Sequence, residues 1–133
     1  MNGPAIAGGF AVALLCDIRV ASSDARFGFG ELPRGVPPSY ASARAALPAA
    51  VARELSLTGR VVHAAEALDL GIVSDVVDPE ALLPRALELA RAAAGPVGAV
   101  TKARVLLERE QVFGRLFLDE EWALRKALLG GPT

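Results

Sequence analysis

The chain has 133 residues, 53% of them hydrophobic and 22% charged, with 14 Lys and Arg against 15 Asp and Glu and a formal net charge of -1. That length suits one compact unit able to bury roughly two thirds of the surface of its unfolded chain, and the near balance of charge leaves neither a basic stripe for nucleic acid nor an acidic tail. Cys16 is the single cysteine, which excludes an internal disulfide framework and points to a reducing compartment, read here as the cytoplasm.

In chain order, Asn2-Gly3-Pro4-Ala5-Ile6-Ala7-Gly8-Gly9-Phe10 runs into an apolar stretch that predicts a helix from Gly8 to about Leu15, buried on most sides. The apolar run Pro4 to Cys16 lacks a basic leader and falls short of the ~20 residues that span a bilayer, so it is read as neither export signal nor membrane segment. Asp17 to Ser22 and Arg26 to Phe29 read as strands joined by Ser22-Ser23-Asp24, which puts Glu31 on the following loop. Pro33, Gly35, Pro37 and Pro38 keep residues 30–38 irregular.

Ser39 to Leu47 and Ala50 to Leu57 predict two helices parted by Pro48, with Gly59 as a stop. A third runs from His63 to Leu70 and ends at Gly71. Ile72 to Val77 is β-rich, and Asp78-Pro79 opens a helix to about Ala94 that Gly95-Pro96 breaks. Residues 97–110 and 114–129 read as two closing helices, the last carrying Leu116, Phe117, Trp122, Leu124, Leu128 and Leu129 either for subunit contacts or for the chain's own core, before a flexible Gly130-Gly131-Pro132-Thr133 end.

Glycines that open a helix expose backbone N–H groups with no intrahelical partner at the positive end of the dipole, where an anion or a carbonyl oxygen turning negative is stabilised. Gly8 and Gly9 are therefore the first candidate site, with close helix packing as the structural reason for glycine. Cys16 has no histidine neighbour and reads as a small packed hydrophobe, and Asp17 as a hydrogen-bonding residue at a helix-to-strand turn. His63 reads as a helix-capping or surface residue.

These segments, Asn2 to Ala21 with Asp24-Ala25-Arg26-Phe27-Gly28 and Glu31, then Leu57-Thr58-Gly59-Arg60, Ala64-Ala65-Glu66-Ala67-Leu68, Leu70-Gly71-Ile72-Val73 and the surroundings of Lys102, resemble the crotonase superfamily, the enoyl-CoA hydratase/isomerase family, over residues 2 to about 110. The resemblance implies an α/β fold: residues 1–78 form the C-terminal half of a crotonase-like ββα spiral core, and residues 79–133 a helical region for oligomerisation and CoA contact. It implies chemistry on acyl-CoA thioesters, whose carbonyl two backbone N–H groups polarise to stabilise an enolate. It further implies no cofactor, coenzyme A being part of the substrate, and a homo-oligomer, trimer or hexamer, with neither nucleic acid nor membrane as partner.

Residue by residue, the family's second oxyanion donor falls on Gly8, with Gly9 beside it against the substrate, and the second of its two glutamates falls on Glu31 as general acid/base. The first glutamate falls on Ala11, which can neither abstract a proton nor orient water. One carboxylate can take a proton from one carbon and return it to another, which favours double-bond isomerisation or an atypical hydration. Gly30 stands where the family more often has proline, and Pro38-Ser39-Tyr40-Ala41-Ser42 replaces its glycine-rich stretch, so Tyr40 or Ser39 becomes a candidate acyl contact, Ser39 also fitting a helix N-cap. Lys102 and Arg104 are candidates for the CoA phosphates or for a solvated helix face. Family members carry several strands and the first oxyanion donor before the position of Met1, so the chain reads as a C-terminal half. The alternative reading is a non-catalytic remnant that binds acyl-CoA or mediates assembly.

Overall fold

A computed structural model describes residues 1–129, and the Gly130–Thr133 end lies outside the described residues. The order of elements is β1 (Pro4–Ile6), α1 (Gly8–Leu14), β2 (Val20–Ser22), β3 (Arg26–Gly28), a 3-10 turn (Leu32–Arg34), α2 (Tyr40–Ala46), α3 (Ala49–Thr58), β4 (Val62–His63), α4 (Ala64–Asp69), β5 (Asp75–Val77), a second 3-10 turn (Pro79–Ala81), α5 (Leu82–Ala93) and α6 (Pro96–Leu129). One sheet has the order β1-β3-β4, with β1 parallel and β4 antiparallel to β3, and β2 pairs in parallel with β5 in a second.

Strands β1 and β4 are the elements the periodicity does not announce. Each has three residues or fewer, too short to show an alternation, and β1 begins on a proline that would be excluded from a central strand. Pro4 is tolerated as the first residue of the strand. The glycine stops hold: Gly59 ends α3 at φ 63° and Gly71 follows α4 at φ 73°, both left-handed conformations that cost other residues energy. Ser39 caps α2, its hydroxyl accepting from the Ser42 N–H at 3.5 Å.

Two expectations are corrected. Residues 97–110 and 114–129 are one continuous 34-residue helix, about 50 Å long at ~1.5 Å per residue. Gly114 inside it costs only about 1 kcal/mol relative to alanine, and the i,i+4 pair Phe113 and Phe117 stacks across it at 5.1 Å between ring centroids. Cys16, expected to be packed, is exposed, because it lies one residue beyond the helix cap Leu15 rather than on the buried face of α1.

The core is built from Phe10, Leu14, Phe27, Phe29, Leu55, Val62 and Ile72, all at or near zero exposure. The Phe10 ring lies 5.9 Å from that of Phe27 and 4.9 Å from that of Phe29, in the tilted arrangement that aromatic quadrupoles favour. Among the described residues none after Val73 is fully buried. Among those residues, helices α5 and α6 contribute no fully buried side chain of their own and pack on the outside of that core. Phe10→Ala should destabilise the chain by about 3–5 kcal/mol, whereas Phe117→Ala, at a position 42% exposed, should change stability by no more than about 0.5 kcal/mol. Urea denaturation followed by circular dichroism measures both.

Candidate functional site

The parallel register pairs Pro4 with Arg26, Ala5 with Phe27 and Ile6 with Gly28, so the two strands finish side by side. The residues just beyond the two strands are thereby brought to one place: Ala7, Gly8 and Gly9 after β1, and Gly30 and Glu31 after β3. The Ala7 N–H donates to the Gly28 carbonyl at 2.9 Å, and a Cβ on Gly30 would stand 2.7 Å from Ile6 Cγ2. Phe10, one turn into α1, wedges against Phe27 and Phe29 and locks the helix start to the end of β3.

The chain turns from β1 into α1 at Ala7, with φ 55° and ψ -126°. Ala7 is the one non-glycine residue with positive φ among the described residues. Such a backbone costs of order 1–3 kcal/mol and persists only where surrounding structure enforces it. Here the enforcers are the Gly28 hydrogen bond and the two helical N–H groups that the Ala7 carbonyl accepts, Phe10 at 2.9 Å and Ala11 at 3.1 Å. The sharp elbow leaves the N–H groups of Gly8 and Gly9 without an acceptor among the described residues, on an exposed surface. A Cβ built on either glycine meets nothing within 4 Å, so close packing does not account for glycine at these positions. Two open amides at a helix start remain, with the positive end of the dipole behind them.

Glu31 is half-buried, and its Oε2 is shielded from solvent with no hydrogen-bond partner. An orphaned buried carboxylate oxygen costs free energy, and such atoms gather where a ligand or a reacting group completes them. The loop around Glu31 is held from behind. A side chain at Gly59 would press on Leu32 Cβ and the Phe29 carbonyl at 3.0 Å, and one at Gly28 would meet the Arg60 carbonyl at 2.7 Å. Arg60 is itself held by Glu66 at 2.8 Å and Glu54 at 2.7 Å, hydrogen bonds that raise its pKa above the ordinary arginine value, Glu66 contributing most.

Tyr40 opens α2, half-buried against the core cluster. Beside it Glu120 of α6 accepts a hydrogen bond from the Ala41 N–H and another from the Ser39 hydroxyl at 3.4 Å. Burial pushes the Glu120 carboxyl above its usual range, outweighing these two bonds, which act the other way. Nothing in the sequence flags this contact, since the residues it joins are 81 and 79 positions apart.

Lys102 lies elsewhere. It pairs with Asp17 beyond the far end of α1, about 10 Å from Gly8 given ~1.5 Å per residue over that helix. Arg109 donates to the Leu15 carbonyl and to Asp17 at 3.2 Å, and Arg19 donates to the carbonyls of Cys16 at 2.8 Å and Ile72 at 2.5 Å. Asp17 thus has the hydrogen-bonding place expected of it. A groove of about 1650 Å³, lined by Ile18, Lys102, Leu82, Leu89 and Val97 among others, opens at this end and not beside Gly8 and Glu31. His63 is exposed and makes no side-chain cap bond.

Solved structures share this fold. An enoyl-CoA hydratase from Mycobacterium tuberculosis superposes with a TM-score of 0.81 at 34% identity, covering 100% of this chain and 63% of that one. A carnitinyl-CoA dehydratase from Mycobacterium avium does so with a TM-score of 0.74 at 31% identity, covering 93% and 53%. The fold is of the crotonase type. In sequence, the chain is 44% identical over 114 residues to an (E)-benzylidenesuccinyl-CoA hydratase from Thauera aromatica, covering 80% of this chain and 44% of the relative. It is 38% identical over 131 residues to a putative enoyl-CoA hydratase from Thermus thermophilus, covering 97% and 50%. Residues 1–110 match the family described as Enoyl-CoA hydratase/isomerase, and the chain belongs to that family. It spans about half the length of the curated relatives it matches. Among the described residues no helix is long and apolar enough to cross a membrane.

Two measurements test this geometry. Ala7→Gly relieves the positive φ and should raise stability by about 1 kcal/mol, an increase of roughly 3 °C in Tm for a chain of this size. Glu120 binds its proton more tightly folded than unfolded. Its contribution is therefore complete below the unfolded glutamate pKa of about 4.3 and is lost as pH rises through the higher folded value. Glu120→Gln should remove that part of the slope in a series of urea midpoints against pH.

Proposed function

We propose that this chain carries the reacting end of an acyl-CoA thioester site. The Gly8 N–H donates to the thioester oxygen, Gly9 borders the acyl group, and Glu31 is the general acid/base. The observation that carries the reading is the convergence, at the ends of paired strands β1 and β3, of two open amides and a half-buried glutamate with an unpartnered oxygen. Glu31 takes a proton from a carbon conjugated with the thioester. The C–H electron pair moves onto the carbonyl oxygen facing Gly8, and Glu31 returns the proton to another carbon of the enolate. One such N–H is worth about 3–4 kcal/mol of barrier, and the acid/base group about 10²- to 10⁴-fold in rate.

Ala11, where a second carboxylate would orient water, favours double-bond isomerisation or an atypical hydration. The reaction needs no cofactor, coenzyme A arriving with the substrate, and a cytoplasmic setting goes with it. Tyr40 contacts the acyl group in this reading, and Lys102, at the other end of α1, reaches only the distal coenzyme A. The exposed Val97, Leu118, Trp122 and Leu129 of α6 support assembly into a trimer or hexamer. The same exposed face and Ala11 support a second reading, a non-catalytic acyl-CoA-binding or assembly module.

Glu31→Gln decides between them. With crotonyl-CoA binding followed by calorimetry and conversion of vinylacetyl-CoA to crotonyl-CoA by absorbance, the substitution should lower turnover by about 10²-fold or more and leave the Kd within about twofold. Binding without turnover in the unsubstituted chain favours the module, and turnover unaffected by the substitution removes Glu31 from the chemistry.

A further inference from the structure

Among the described residues, helix α6 reaches the rest of the chain through side-chain hydrogen bonds from three residues, Lys102, Arg109 and Glu120. The two cations hold the C-terminal end of α1, where carbonyls and Asp17 gather negative charge, and the acid holds the N-terminal end of α2, where N–H groups point outward. Between these stations α6 runs antiparallel to α2: Glu108 and Arg109 lie by Arg44 to Leu47 at its end, and Glu120 by Ser39 and Ala41 at its start.

The second station bears on the candidate site. The loop that leads away from Glu31, whose carbonyl accepts from the N–H groups of Arg34 at 2.9 Å and Val36 at 3.4 Å, runs on to Ser39-Tyr40-Ala41, where Glu120 binds Ser39 and Ala41. Within that grip Ser39 Oγ serves twice, donating to Glu120 and accepting from the Ser42 N–H. Tyr40 stands between the two residues bound to Glu120, so its backbone is fixed by α6 and its ring by the core.

We propose that Glu120 is a positioning residue that latches α6 onto the start of α2, holds Ser39 and Tyr40 at the acyl end of the candidate site, and makes α6 a strap beside it. The positioning role rests on Gly8 and Glu31 forming an acyl-CoA site. Glutamine reproduces the latch, its carbonyl accepting from the Ala41 N–H and its amide donating to Ser39 Oγ. Alanine removes it.

The chain's one tyrosine and one tryptophan report on the latch directly, Tyr40 lying between its α2 contacts and Trp122 two residues beyond Glu120. Energy transfer from Tyr40 to Trp122 is measured on the full chain together with Kd values for crotonyl-CoA and for coenzyme A alone. Glu120→Gln should keep the transfer and both affinities within about twofold. Glu120→Ala should lower transfer measurably and weaken crotonyl-CoA about tenfold, with coenzyme A unchanged. Where the alanine variant does not fold, as far-ultraviolet dichroism shows, Glu120→Asp, a methylene too short to span the contact, takes its place with the same expectation. Undiminished transfer overturns the latch, and lowered transfer with unchanged crotonyl-CoA affinity overturns its positioning role. A chain that binds no crotonyl-CoA before substitution sinks the functional reading instead, and transfer alone then decides the latch.

Discussion

The geometry of the candidate site depends on the parallel pairing of β1 with β3. Three residues on each side make a weak ladder by themselves. Phe10 completes it, since burying an aromatic ring between Phe27 and Phe29 contributes several kcal/mol and fixes the helix start against the strand end. Ala7 is forced into its strained turn by that closure. The amides of Gly8 and Gly9 are open because they begin a helix, and the turn at Ala7 sets the direction in which that helix start faces. Local cost at one residue is thus sustained by the packing of another three positions away.

Much of this is readable from residues alone. Gly8, Gly9 and Glu31 are picked out by glycines before an apolar helical run and by their match to a family pattern, and Gly59 and Gly71 by their positions at helix ends. The elbow at Ala7 is not, because alanine carries no signature of positive φ and β1 is too short for a period-2 pattern to register. Gly114 misleads for a related reason: a helix breaker judged by propensity alone ignores the Phe113–Phe117 pair that bridges it. The exposure of Cys16 and the reach of Glu120 depend on where a helix ends and on contacts far apart in sequence, neither of which a local pattern encodes.

The two halves of the chain are held by different forces. Residues up to Val73 supply the fully buried side chains, whereas α5 and α6 adhere through half-buried apolar contacts and a few charged groups. Asp75 with Arg85 at 2.7 Å ties α5 to β5 in the same manner. Surface ion pairs of this kind are worth about 0–1 kcal/mol each, so packing of α6 along α2 contributes more to its attachment than these charges do.

The carbonyls at the end of α1 are covered by Arg19 and Arg109, with Lys102 on neighbouring Asp17. Three cations against one carboxylate offset the negative pole of that short helix, the pole that would work against the partial positive charge at its start. In the proposed acyl-CoA site, charges assembled at one end of the helix favour negative charge developing at the other.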